Sequence, residues 1–87
     1  PDILDFGWGR ESNDIYIFEG YVECIYPTSL TIQFGGLLDG HTAPVEMDGT
    51  FQISLRLDVN LAGLVTLQAV SSRADISPSD VLSRMIS

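Results

Sequence analysis

One histidine and one cysteine are present in this chain of 87 residues, and these two residue types perform much of the nucleophilic and metal-binding chemistry of proteins. A catalytic triad needs a histidine beside a nucleophile, and a tetrahedral zinc site needs four nitrogen or sulfur ligands. His41 follows Asp39 and Gly40 in a predicted loop, so we expect a solvated imidazole. Cys24 has no lysine beside it and is expected to act as a buried small hydrophobe. We therefore predict no catalytic residues, no metal centre and no enzymatic activity.

Carboxylates are the second group that could perform chemistry, and five aspartates fall in predicted turns: Asp39, Asp48, Asp58, Asp75 and Asp80. Aspartate is frequent in turns because its side chain accepts hydrogen bonds from nearby backbone donors. Calcium binding would require several of these residues to converge with carbonyl oxygens at one end of the fold. No Asp-x-Asp-x-Asp-Gly run is present. We predict no cofactor and keep a calcium-dependent adhesion domain as a hypothesis.

Aromatic residues form the third candidate group. Trp8, between Gly7 and Gly9 in a predicted loop, could stack on a sugar ring or a protein partner, but a lone loop tryptophan more often covers core side chains. Tyr21 is predicted to face outward on a strand, and Tyr26 precedes a turn. An exposed platform of Trp8, Tyr21 and Tyr26 is the basis of an alternative hypothesis, a carbohydrate-binding module.

The charge balance excludes several classes of partner. Twelve acidic residues oppose four arginines, with no lysine, and the formal net charge is −8. A surface that binds phosphates needs clustered cations, whereas these arginines are scattered: Arg10, Arg56, Arg73 and Arg84. We therefore expect neither nucleic acid nor an anionic membrane as a partner. No apolar run approaches the ~18 residues of a membrane-spanning helix, so membrane insertion is not expected.

The hydrophobic pattern favours short β-strands separated by turns. Met47 to Leu55 is typical of a hairpin turn that leads into a half-buried strand, since Asp-Gly precedes Phe-x-Ile-x-Leu. Even positions from Tyr16 to Cys24 are apolar or small, which places them inward. The predicted strands are Ile3–Phe6, Asp14–Cys24, Leu30–Phe34, Thr42–Met47 (an edge strand because of Pro44), Phe51–Leu57, Gly63–Ser71 and Val81–Ile86. The predicted loops between them include Gly7–Asn13, Tyr26–Ser29, Asp58–Ala62 and Ser72–Asp80.

These seven segments predict an all-β fold, a seven-stranded antiparallel β-sandwich with Greek-key connections, in a single domain over residues 1–87. The segment after Pro78 also fits a helix, because Ser77 to Asp80 resembles a helix start and the apolar residues that follow have helical spacing. We favour a strand there, since the seventh strand would otherwise be missing. The chain begins with Pro1, and we expect it to be a segment of a longer protein.

Four segments resemble the successive strands of bacterial immunoglobulin-like (Ig-like) domains: residues 18–22, 30–37, 48–55 and 63–69. The resemblance extends from Tyr16 to Val70 and consists of hydrophobic and glycine positions, so it implies a fold more than an activity. Such domains often have an acidic-x-x-Gly turn after the Val-Thr-x-Gln strand, where this chain has residues 71–75.

The resemblance implies a non-catalytic spacer or adhesion module of a large bacterial surface or secreted protein. The expected localisation is extracellular or cell-surface. The expected partners are neighbouring domains of the same chain, together with a protein or polysaccharide surface.

Overall fold

The computed structural model describes residues 1–12, 14–57 and 61–86, and these contain seven β-strands, one 3₁₀ turn and no α-helix. In chain order the strands are β1 (Asp2–Arg10), β2 (Ile15–Glu23), β3 (Leu30–Gly36), β4 (Thr42–Pro44), β5 (Thr50–Arg56), β6 (Gly63–Ser71) and β7 (Leu82–Ile86). The turn spans Pro27–Ser29. Asn13 in the first predicted loop, and Asp58 with the next two residues in the third, lie outside the described residues.

The strands form two antiparallel sheets. One sheet has three strands in the order β1-β2-β5, and the other has four in the order β4-β3-β6-β7. The prediction of an all-β chain with seven antiparallel strands is confirmed. The segment after Pro78 is a strand, because β7 pairs with β6 from Leu82 to Ile86. Pro44 lies on an edge strand as predicted, where its missing N–H donor costs no ladder bond.

Alternating side chains from both sheets meet in one buried cluster. Phe18 on β2, Ile32 on β3, Phe51 on β5 and Val65 on β6 are each at most 1% exposed. The alternation therefore places the predicted residues inward, because successive side chains of a strand point to opposite faces. Burial of each of these side chains contributes roughly 1.5–3 kcal/mol.

The predicted loop from Gly7 is wrong for its first four residues. Residues 7–10 continue β1, where Gly7 lies opposite Glu19 and Trp8 lies opposite Phe18. Pairing with the central strand β2 outweighs the weak local strand propensity of glycine. The register shifts between Ile3 and Asp5, which marks a β-bulge on this edge strand.

The described chain begins and ends at opposite poles of an elongated molecule, whose principal extents are 40, 20 and 20 Å. Asp2 pairs with Glu23 at the end of β2, and Leu30, seven residues after Glu23, begins β3 opposite Ser71. Ile86 instead lies opposite Gly63, at the other end of β6. We call these two ends the N-terminal pole and the C-terminal pole.

Candidate functional site

The outer face of the three-stranded sheet contains an open concavity of about 760 Å³, which we call the trough. Residues of β1, β2 and β5 line it, and Pro44 and Glu46 close one side. The strand register arranges its floor in two cross-strand rows: Asp5, Tyr21 and Thr50, and then Gly7, Glu19 and Gln52. Directly opposite residues in an antiparallel pair have side chains on the same face, so each row presents its polar groups together.

Two glycines of the lining have different roles. A Cβ atom at Gly7 would meet nothing within 4 Å, so this position is open space beside Glu19. Gly20 instead faces the core, because a Cβ atom there would collide with the carbonyl oxygen of Asp5 and the ring of the buried Phe51. No residue with a side chain fits at Gly20 without displacing the strand.

The trough is negatively charged. Its lining includes the carboxylates of Asp5, Glu19 and Glu46, and no arginine. The nearby cation on β5, Arg56, is not among the lining residues, and its Nε lies 3.3 Å from the carboxylate of Asp14. Among the described residues, no three His, Cys, Asp or Glu side chains are grouped closely enough to hold a metal ion. The three carboxylates of the lining come from β1, from β2 and from the segment between β4 and β5.

The three aromatic residues predicted as ligand-binding do not lie on one surface. Tyr21 lies in the trough, 39% exposed, with its ring edge against Gly49. Trp8 shares the opposite face of the sheet with its partner Phe18, and its ring centroid is 6.1 Å from that of the buried Tyr16. Trp8 is therefore a strand residue, not a loop residue; its ring packs beside Tyr16, and the residue is 40% exposed.

Tyr26 lies at the N-terminal pole and contacts a different loop. The guanidinium of Arg73 is 4.0 Å from its ring centroid, and the same guanidinium donates two hydrogen bonds to the carboxylate of Asp75. These contacts join the segment between β2 and β3 to the segment between β6 and β7. A second concavity of about 690 Å³ lies beside Tyr26 and includes Pro1 and Cys24.

Two aspartates of the predicted turns have lowered pKa values. The side chain of Thr50 donates a hydrogen bond to Asp48, and this bond lowers the pKa of Asp48. The hydrogen bonds from Arg73 lower the pKa of Asp75. Asp48 also accepts a hydrogen bond from the backbone N–H of Thr50, as predicted for an aspartate in a turn, whereas the partner of Asp75 is the side chain of Arg73.

The single cysteine and the single histidine, Cys24 and His41, both lie outside the trough. Cys24 is half-buried, so its predicted full burial is not observed, and it forms no disulfide. His41 is also half-buried, and its backbone carbonyl accepts a hydrogen bond from the backbone N–H of Phe34. The structure brings neither residue into the trough.

Sequence reasoning predicted that Glu19 and Tyr21 face outward but missed the trough that they line. The strand alternation of β2 was readable, whereas the partners across the sheet were not. Asp5 reaches the row of Tyr21 only because the β-bulge shifts the register of β1. A prediction that β1 continues through Gly7 as a long edge strand would have revealed the trough.

Searches of protein-family models, of curated proteins and of solved structures return no match to this chain. Within the described residues, no helix has the length and apolar character needed to cross a membrane.

Proposed function

We propose that this chain is a non-catalytic structural module, a spacer or adhesion domain of a bacterial extracellular or cell-surface protein. Its neighbours would be domains of the same chain, with a protein or polysaccharide surface as a further partner. The observation that carries the proposal is the position of Pro1 and Ile86 at opposite poles. A module with this geometry separates whatever is attached to its two ends by its own length.

For the fold, we propose an Ig-like β-sandwich with Greek-key connections. The two sheet orders support this, because the chain changes sheet between β2 and β3, between β4 and β5, and between β5 and β6. The shared core supports it as well. The ring of Phe6 on β1 lies 6.4 Å from that of Phe34 on β3, and these strands belong to different sheets.

The strand directions favour a role under tension. A force applied through the two chain ends is directed from pole to pole, which is parallel to the strands. Antiparallel ladder hydrogen bonds are perpendicular to the strands, so such a force shears many bonds of a ladder at once. A force applied across two paired strands at one pole breaks the ladder one pair at a time instead.

Single-molecule pulling tests this role with handles that the chain already offers. In the first geometry the handles are at the N-terminus and the C-terminus. In the second they are at the N-terminus and at the single thiol, Cys24, which follows the pair Asp2 and Glu23. We expect a higher rupture force in the first geometry, because the ladder is sheared there and unzipped in the second.

Equal rupture forces in the two geometries would contradict the spacer role. A matched control removes the thiol by Cys24→Ser and leaves the end-to-end geometry intact. Its rupture force should equal that of the parent chain, which would show that the thiol itself does not contribute.

A further inference from the structure

We propose that the pair Asp39-Gly40 is a site of covalent modification, at which the aspartate converts into isoaspartate through a cyclic succinimide. This inference goes beyond the spacer role and does not depend on it. It rests on a comparison within the chain, which contains two Asp-Gly pairs, Asp39-Gly40 and Asp48-Gly49. The two pairs have the same residues and opposite surroundings.

The reaction requires an aspartate whose side chain can be reached by the backbone nitrogen of the next residue. The nitrogen of Gly40 attacks Cγ of Asp39 in its protonated form. A C–N bond forms, and the Cγ–OH and N–H bonds break to release one water molecule. Hydrolysis of the ring consumes one water molecule and opens it at either carbonyl, which gives aspartate or isoaspartate. Glycine favours ring closure because it has no side chain to hinder its nitrogen.

The first pair is free to react. Asp39 and Gly40 are both exposed in the segment between β3 and β4. Within the described residues, no hydrogen bond holds the Asp39 carboxylate or either polar group of the peptide unit that joins the pair. A Cβ atom at Gly40 would meet nothing within 4 Å, so the ring has room to form. This peptide unit can therefore rotate toward the side chain without breaking a hydrogen bond.

The second pair is held in place. The carboxylate of Asp48 accepts hydrogen bonds from the hydroxyl and the backbone N–H of Thr50, which lower its pKa and keep it ionised. The N–H of Gly49 donates a hydrogen bond of 2.9 Å to the carbonyl oxygen of Glu46. Gly49 is also buried, and a Cβ atom there would lie 2.7 Å from the ring of Tyr21. Ring closure here must break three hydrogen bonds, so the structure protects this pair.

Conversion at Asp39 would alter the connection between β3 and β4. Isoaspartate directs the main chain through the former side chain and adds one carbon between Leu38 and Gly40. The N–H of His41 donates to the carbonyl oxygen of Leu38, and the carbonyl oxygen of His41 accepts from Phe34. The added carbon moves these groups out of register, beside an edge strand of only three residues.

The test compares the two pairs within one molecule. The whole chain is incubated at physiological temperature and pH in water enriched in heavy oxygen, because each ring opening inserts one solvent oxygen that mass spectrometry locates. Digestion then uses an endoproteinase that cleaves before aspartate but not before isoaspartate. We expect conversion at Asp39 at least about tenfold faster than at Asp48, because three hydrogen bonds must break only at Asp48.

Two controls separate the fold from the local sequence. A parallel incubation in guanidinium chloride unfolds the chain, and the two rates should then become similar. Thr50→Val removes the hydroxyl that bonds Asp48 and keeps a side chain suited to a strand. We expect conversion at Asp48 to become about three- to tenfold faster in this variant and conversion at Asp39 to stay the same.

Three outcomes would overturn the proposal. The first is no conversion at Asp39 in the folded chain, and the second is equal conversion at Asp39 and Asp48 in the folded chain. The third is a ratio of the two rates that is no greater in the folded chain than in guanidinium chloride, which would mean that local sequence alone selects the site. Circular dichroism of Thr50→Val confirms that the fold is retained, and the pulling experiment remains a separate test of the spacer role.

Discussion

Phe18 is the side chain whose removal tests the shared core most severely. It lies on the central strand of the three-stranded sheet and is 0% exposed. Its ring is stacked with Phe6 on one side and Tyr16 on the other, with centroid distances of 6.4 Å in both pairs. Phe18→Ala removes these contacts and leaves a cavity, so we expect a loss of about 3–5 kcal/mol in the free energy of unfolding.

That loss is large relative to the total free energy of unfolding of the chain. A chain of 87 residues has a free energy of unfolding of roughly 4–13 kcal/mol, at ~0.05–0.15 kcal/mol per residue. Each lost kcal/mol lowers Tm by about 4–8 °C for a domain of this size, so Phe18→Ala should lower Tm by about 12–40 °C. Thermal and urea unfolding followed by circular dichroism measure both quantities.

The control for this variant lies on the same strand. Tyr21→Ala removes an aromatic ring of similar size from the outer face, where it is 39% exposed, and should cost no more than about 1 kcal/mol. A Tm for Phe18→Ala within about 4 °C of the parent would refute the inward placement of Phe18, and with it the shared core.

Four further variants test the turns and one buried polar contact. Gly49→Ala should lower the free energy of unfolding more than Gly40→Ala, as measured by urea unfolding. Both glycines have φ near +88°, but only Gly49 has no room for a Cβ atom. We expect a loss of about 1–2 kcal/mol at Gly40 and a larger loss at Gly49. Ser79→Ala should cost about 1–3 kcal/mol, because the buried Ser79 hydroxyl accepts a hydrogen bond from the backbone N–H of Ala69. Asp75→Asn should reduce the amount by which the free energy of unfolding falls between pH 5 and pH 2.

The sign of this last effect follows from the direction of the pKa shift. The pKa of Asp75 is lowered in the folded state, so its carboxylate stabilises the fold above about pH 4, the ordinary pKa of aspartate. That stabilisation is lost as the pH falls through the lowered pKa. Equal pH profiles for Asp75→Asn and the parent would contradict it. Equal losses at Gly49 and Gly40, or no loss for Ser79→Ala, would likewise contradict the close contacts described for those residues.

The sequence predicted the strands better than their partners. The alternation of Phe51, Ile53 and Leu55 is a local pattern, and it was enough to place a strand and its inward face. The extension of β1 through Gly7 depends on pairing with a strand more than ten residues away, which no local pattern encodes. The trough could not be predicted for the same reason. Glu19 was predicted to face outward, but its neighbours across the sheet are set by the strand register and by a β-bulge, which local patterns do not encode.

The separation of the two chain ends is the most direct test of the spacer role. Spin labels at Pro1 and at Met85, the exposed neighbour of the buried Ile86, report this separation by pulsed electron resonance. Opposite poles predict roughly 25–30 Å, about the length of the nine-residue strand β6 at ~3.3 Å per residue. A second label pair at Pro1 and Cys24, both at the N-terminal pole, should give a much shorter distance. A distance below about 15 Å between Pro1 and Met85 would place both ends at one pole and contradict the account.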